Sequence, residues 1–152
     1  MALLLLAPSP AGAQGGGAPP SHSNSPSPSA TPAPAASTAA FDEALQRDLL
    51  AFFRASGSPH ASAVDVGFLR AAPTRMGVPA PKFYLWVKVL AGPSVLQVGA
   101  ARVAAVQERG QLRSVDVTHF FTAASIRANP DQVGRVFPAA LVPAIRRKAA
   151  AP

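Results

Sequence analysis

The residues of this chain that could serve as bases or metal ligands are three histidines and seven carboxylates. His119 is the only histidine inside a predicted strand, and Asp116 precedes it by three positions. Residues three apart on a strand lie on opposite faces, so this carboxylate is not expected to orient the imidazole. His119 is predicted to share its face with Val115, Val117 and Phe121. We therefore expect a satisfied core histidine at this position.

The other candidate groups form no catalytic or metal-binding pattern. His22 and His60 fall in a predicted linker and a predicted loop, which leaves no histidine cluster for a metal ion. No two carboxylates have a spacing that sets them for acid–base chemistry. Nucleophile-elbow, Walker-type and Gly-x-Gly-x-x-Gly patterns are absent, and cysteine chemistry is excluded because the chain has no cysteine. The sequence thus predicts no catalytic residue, no metal and no cofactor.

Two basic and two aromatic residues occupy every second position along one predicted strand and therefore share one of its faces. They are Lys82, Tyr84, Trp86 and Lys88. If they lie on an open sheet face, the rings could stack on bases, sugars or a partner protein. If the C-terminal helices cover that face, the rings belong to the core and the lysine heads reach solvent at its edge. The apolar C-terminal residues need a surface to pack on, which favours the second arrangement. With His119, these four residues are the candidate binding residues.

The charge of the chain is confined to its last 111 residues. No Asp, Glu, Lys or Arg occurs in residues 1–41, and the net charge of the whole chain is +7. Such a balance indicates attraction to an acidic partner, which could be a protein, a cell-envelope component or a nucleic acid. Only Arg146, Arg147 and Lys148 form a cluster, so the pattern favours a generally basic surface and not a nucleic-acid site.

The first 40 residues are predicted to stand apart from the folded part. Residues 1–13 resemble a signal peptide, with a short apolar run at 3–7 and small residues at Ala11 and Ala13. The run is short and no basic residue precedes it, so we expect a clipped signal or a misassigned start. Export to the periplasm or beyond is the favoured interpretation, and a cytoplasmic protein with an unstructured leader is the alternative. No stretch is long enough for a membrane-spanning helix.

Residues 14–40 consist mainly of Gly, Pro, Ser, Ala and Thr. This segment offers too little apolar area to offset the entropy lost on ordering, so we expect a disordered linker. Residues 41–152 are then expected to form a single domain.

The domain is predicted to begin with an amphipathic helix over residues 41–56, whose apolar residues recur at spacings of three and four. Asp42 and Glu43 are expected in its first turn, and Gly57 in the left-handed position that ends it. Strands are predicted over 61–71, 82–90, 95–107 and 112–121. Their short connections favour antiparallel neighbours, which gives a four-stranded meander.

Short helices are predicted after the last strand. Thr122 is expected to cap a helix that runs to residue 128, and Asn129 to cap a second one that begins with Pro130. The fold class is therefore α+β, with the N-terminal helix packed on the meander. In architecture alone it is similar to cystatin-like and NTF2-like rolls, in which a curved sheet wraps a helix.

Three functions remain open on the sequence. The favoured one is an exported, non-enzymatic domain that binds a partner or ligand on a sheet face or in a roll pocket. The second is a small NTF2-like enzyme whose pocket is lined by His119 with Tyr84 or Asp116. The third is binding of a nucleic acid or another polyanion through the basic surface, which predicts steeply salt-dependent affinity.

Overall fold

The first helix, α1, spans Thr38–Ala55 and is amphipathic as predicted. The computed structural model describes residues 38–73 and 78–151, so the predicted signal peptide and residues 14–37 of the predicted linker lie outside the described residues. Leu45, Leu49 and Phe53 form the fully buried stripe of α1. Because the helix starts three residues earlier than predicted, its first turn holds no acidic residue, and the placement of Asp42 and Glu43 there was wrong.

The end of α1 is set by a glycine in the left-handed region. Gly57 has φ of +109°, which confirms the terminating role predicted for it. The backbone N–H of Ser58 donates to the carbonyl of Phe53 over 2.9 Å, and that of Ser56 donates to Phe52 over 2.9 Å. These two bonds satisfy carbonyls that the last helical turn would leave without partners.

Four antiparallel strands form one sheet in the order β1-β2-β3-β4, which confirms the predicted meander. Their bounds are Ala63–Phe68 for β1, Lys82–Ala91 for β2, Ser94–Glu108 for β3 and Gln111–Thr122 for β4. The β2–β3 turn is tight, and Gly92 supplies the positive φ that it requires. A short loop joins α1 to β1, and α1 packs back onto one face of the sheet that follows it.

Each face of the sheet is covered by a different set of helices. Side chains such as Leu85, Val87 and Val103 point toward α1 and make the first core cluster. Side chains of the alternate positions, among them Tyr84, Trp86 and Ala100, point to the opposite face and pack against the C-terminal segment. The α+β arrangement is as predicted. Successive side chains of β2 point to opposite faces of the sheet, and in the middle of the strand the side chains on both faces are apolar or aromatic.

The C-terminal segment consists of α2 (Ala123–Ala128), two short 3₁₀ helices (Pro130–Arg135 and Ala139–Leu141) and α3 (Val142–Ala150). Thr122 caps α2 as predicted, because its hydroxyl accepts from the backbone N–H of Ser125 over 3.0 Å. Asn129 precedes the first 3₁₀ helix, but its side chain makes no capping bond, so the predicted cap was wrong. In the described part of the chain, no helix combines the length and apolar character needed to cross a bilayer.

Candidate functional site

A bulge in β4 decides where His119 points. Val103 pairs with Val117, but Arg102 pairs with His119, so Thr118 is an extra residue in β4. Val117 therefore packs on the α1 side of the sheet. His119 and Phe121 turn to the other side, and their ring centroids are 6.4 Å apart. The predicted common face of Val115, Val117, His119 and Phe121 was wrong, because strict alternation fails at the bulge.

The same bulge changes the relation between His119 and Asp116. Asp116 pairs with Ala104 on the face away from α1, and the inserted residue restores His119 to that face. The prediction that the two lie on opposite faces was therefore wrong. They still form no hydrogen bond: the Asp116 carboxylate accepts from the Ser114 hydroxyl over 3.0 Å and is exposed.

Tyr84, Arg102 and His119 lie side by side across three strands. The Arg102 guanidinium donates to the Thr118 hydroxyl over 3.0 Å and to the carbonyl of Val136 over 3.4 Å. His119 is half-buried, and its Nδ1 is buried without a hydrogen bond to any described residue, so the predicted satisfied core histidine was wrong. Within this row, Tyr84 packs beneath the C-terminal segment and Arg102 bonds to its backbone.

The aromatic residues of β2 are covered, as in the second of the two predicted arrangements. Tyr84 is 5% exposed and Trp86 is 8% exposed. Tyr84 packs on Phe137, with ring centroids 5.7 Å apart. Lys82 and Lys88, at the two ends of the row, are exposed. These rings therefore offer no open stacking platform, and what remains accessible of Trp86 lines a cleft.

The cleft lies between the β2–β3 hairpin and the helices α2 and α3, and its volume is about 820 Å³. Trp86, Val98 and Ala123 contribute to its apolar lining. Such a volume lies in the range of small-molecule sites, which is roughly 300–1,000 Å³. The arrangement can therefore hold a ligand with an apolar body.

Three cations contribute to the lining of this cleft, Lys88, Arg127 and Lys148, and none of its lining residues is acidic. The ammonium of Lys148 lies 5.9 Å from the centroid of the Trp86 ring, which permits a cation–π contact. Lys88 Nζ lies 3.7 Å from the Asp65 carboxylate, but both side chains are at least half exposed, so the pair leaves much of the positive charge available.

Arg127 is the most firmly placed of the three cations. One guanidinium nitrogen donates to the carbonyl of Ala149 at the end of α3 over 2.7 Å. This bond joins α2 to the last turn of α3 and satisfies a carbonyl that the helix end leaves free. The remaining guanidinium N–H groups can serve an anionic ligand, because arginine carries five donors.

Sequence reasoning identified Trp86 and Lys88 but did not connect them with α2 and α3. The sequence distinguishes Lys148 only as part of the basic cluster at residues 146–148, and no pattern in the sequence marks Arg127. Of the other candidates, Lys82, Tyr84 and His119 do not line the cleft. No cluster of three or more His, Cys, Asp or Glu residues that could hold a metal ion occurs within residues 38–73 and 78–151.

No family model, no curated protein and no solved structure matches this chain.

Proposed function

We propose that this domain binds a small anionic ligand with an apolar body in the cleft beside Trp86. The observation that carries the proposal is the composition of that cleft, which is lined by three cationic side chains and several apolar ones and by no acidic residue. An anionic head would meet Lys88, Arg127 and Lys148, and the body of the ligand would contact Trp86 and Val98. Binding without chemistry is the function that this arrangement supports best.

Electrostatics favours an anion in this position for two reasons. The three cations act on the same small volume, and their attraction is stronger in a partly enclosed cleft than in open water because the effective dielectric constant is lower. A phosphate, sulfonate or carboxylate would also accept charge-assisted hydrogen bonds from Arg127 and the two lysines. A cation would be repelled from the same position.

His119 lies outside the cleft beside Trp86, which argues against an enzyme site built around this histidine. An enzyme with a pocket around His119 would need the imidazole to face a cavity with other polar groups. His119 is absent from the lining of the Trp86 cleft, and its neighbour Phe121 packs against Phe137. The binding hypothesis needs no such convergence.

We also propose that the domain acts outside the cytoplasm, in the periplasm or as a secreted protein. The support comes from the sequence alone, in the small residues Ala11 and Ala13 and the uncharged, Pro-rich segment that follows them. Mass spectrometry of the mature protein from cell fractions tests this location. A mature N-terminus at Gln14 in the periplasmic fraction is expected, and an intact leader in the cytoplasmic fraction would contradict it.

Trp86 provides the readout for the binding test, because it is the only tryptophan of the chain. The full-length protein is titrated with 8-anilinonaphthalene-1-sulfonate, an anionic aromatic probe, while energy transfer from Trp86 to the bound dye is followed. N-phenyl-1-naphthylamine, which has the same aromatic body without the sulfonate, is the uncharged comparison. The proposal predicts saturable transfer to the sulfonate dye and a clearly lower affinity for the uncharged one.

A matched pair of variants locates the binding. Lys148→Gln removes a cation of the cleft, whereas Arg147→Gln removes its exposed neighbour on the same helix, which does not line the cleft. Lys148→Gln should lower the affinity for the sulfonate dye several-fold, and Arg147→Gln should change that affinity little. Equal affinity for the two dyes, or equal effects of the two substitutions, would show that the sulfonate is not read by this cleft.

A further inference from the structure

Two aliphatic side chains stand out of the sheet at the rim of the cleft. Val95 is 54% exposed and Leu96 is 42% exposed. The register explains why, since Leu90 pairs with Val95 while Val89 pairs with Gln97, which leaves Leu96 as an extra residue in β3. A bulge of this kind re-aims side chains away from the regular alternation. Both residues also line the cleft.

The hairpin that carries them is uncharged and firmly held. Residues 89–101 contain no Asp, Glu, Lys or Arg. The backbone N–H of Gly92 in the turn donates to the Ser62 hydroxyl over 2.9 Å, and the N–H of Ser62 donates to the carbonyl of Leu90 over 2.8 Å. The residue that precedes β1 thereby holds the tip of the hairpin in place.

We infer that the β2–β3 hairpin tip and the basic cleft behind it together dock on the surface of an anionic phospholipid bilayer. The inference rests on the proposed function and names the source of its ligand, an anionic lipid whose headgroup lies among Lys88, Arg127 and Lys148. Val95 and Leu96 enter the boundary between headgroups and acyl chains. Insertion of the apolar hairpin tip strengthens the affinity for the bilayer, because the electrostatic attraction of three cations alone is weak.

The combination of features is that of an interfacial binding surface. Peripheral membrane binding grows with the apolar area inserted and with the attraction of nearby cations to anionic headgroups. Each Lys or Arg near such a surface contributes, and the contribution is reduced by salt. An acidic protein segment would match the cations equally well, but it would leave the protruding Val95 and Leu96 without an apolar partner. This pair favours the bilayer.

Sedimentation with lipid vesicles tests the inference on the full-length chain. Vesicles of phosphatidylglycerol mixed with phosphatidylcholine are compared with vesicles of phosphatidylcholine alone. Three proteins are used, the unchanged chain, the double variant Val95→Ser/Leu96→Ser and the control Phe68→Ser. Phe68 is 44% exposed and packs near Phe41 and Phe83 on the α1 side of the sheet, away from the cleft. The apolar run at residues 3–7 is common to all three and cancels in the comparison.

The unchanged chain should sediment with the anionic vesicles in preference to the uncharged ones, and added salt should release it. The double variant should bind the anionic vesicles about ten-fold more weakly or worse, because less apolar area is inserted. The Phe68→Ser control should keep the affinity of the unchanged chain. Far-ultraviolet circular dichroism on each protein verifies that both variants are folded.

Three results would overturn the inference. They are equal binding by the double variant and the unchanged chain, equal binding to the two kinds of vesicle, and absence of vesicle binding by a chain that still binds the sulfonate dye. The last result leaves the proposed function standing, and displacement of the dye by polyglutamate in that case assigns the cleft to an acidic protein segment. Failure of the dye itself to bind refutes the proposed function instead.

Discussion

The carboxylate of Asp48 on α1 accepts a hydrogen bond from the backbone N–H of Val115 on β4, over 2.8 Å. β4 is an edge strand, so its outward N–H groups have no neighbouring strand to bond with. The carboxylate also accepts from the Arg47 side chain over 2.7 and 3.1 Å. One side chain of the helix thus supplies an acceptor to the edge of the sheet and fixes where α1 crosses it.

Replacing Asp48 by alanine should destabilise the domain. Val115 is buried, and without the carboxylate its N–H loses its partner, which costs about 1–3 kcal/mol. Urea unfolding followed by Trp86 fluorescence measures the free-energy difference. Asp42→Ala is the matched control, because Asp42 is an exposed carboxylate on the same helix and should change stability little. A loss of similar size in both variants would show that the bond to Val115 contributes nothing specific.

The stability of the domain should depend on pH through the same carboxylate. The hydrogen bond from Arg47 is the main cause that lowers the pKa of Asp48 below its ordinary value of 3.8, partial burial opposes the shift, and the Val115 N–H supports it. A lowered folded-state pKa means that the stabilisation is complete above the unfolded-state pKa and is lost as the pH falls through the folded-state pKa. The pH range in which this stabilisation is lost therefore lies below about pH 4.

Asp48→Asn isolates this effect because asparagine keeps an acceptor for Val115 and does not titrate in this range. The difference in unfolding free energy between the unchanged chain and Asp48→Asn should be constant near neutral pH and should shrink on acidification below about pH 4. Carboxyl chemical shifts in an NMR titration give the midpoint of Asp48 directly. A midpoint at or above 3.8 would contradict the lowered pKa.

The order of the elements was within reach of the sequence, because each depends on local signals. The stripe of Leu45, Leu49 and Phe53 marks α1, and Gly57 marks its end. The alternation along β2 also indicated that one face packs under α1. The apolar C-terminal residues favoured the arrangement in which they cover the other face, and the structure confirms it. What local signals did not give is which residues of α2 and α3 make these contacts, since they are distant in sequence from β2 and lie in short, weakly periodic pieces.

Gly99→Ala should strongly destabilise the domain because a Cβ at this position has no room. It would overlap the carbonyl oxygen of Phe121 and lie 2.9 Å from carbons of the Phe120 ring. Relieving such a contact requires β3 and β4 to separate, and overpacking of this kind typically costs about 1–3 kcal/mol and sometimes more. Thermal unfolding monitored by circular dichroism should show a clear drop in Tm.

Gly134→Ala is the matched substitution for this test. A Cβ at Gly134 meets no atom within 4 Å, and the backbone there does not have a positive φ. Because alanine restricts the unfolded chain more than glycine does, the stability should stay equal or rise by about 0.4–1 kcal/mol. If Gly99→Ala were tolerated as well as Gly134→Ala, the close packing of β3 on β4 would be refuted.

The candidate site depended on features that alternation cannot detect. A bulged residue inserts one position without changing residue types, so neither Leu96 nor Thr118 is marked in the sequence. The first bulge exposes an aliphatic pair beside the cleft, and the second reverses the face of His119. Period-two reasoning holds up to each bulge and fails beyond it. Trp86 and Lys88 were identified because β2 is regular over that stretch.

His119→Leu should leave stability within about 1 kcal/mol of the unchanged chain, or raise it slightly, because an apolar replacement removes a buried polar atom that has no partner among the described residues. Affinity for the sulfonate dye should also be unchanged, since His119 does not line the cleft. Ile126→Ala is the comparison on the same side of the sheet. Ile126 is fully buried, and its truncation should cost about 2–5 kcal/mol.

The two measurements together decide what His119 does. A histidine that serves only as a packed side chain tolerates leucine in both unfolding and dye binding. If His119→Leu cost as much stability as Ile126→Ala, the imidazole would have to make a hydrogen bond. The stabilisation from that bond would have to exceed the free-energy cost of burying Nδ1. If dye binding fell while stability held, the ligand would extend from the cleft beside Trp86 toward the row of Tyr84, Arg102 and His119, and the cleft would have to open under the C-terminal segment to admit it.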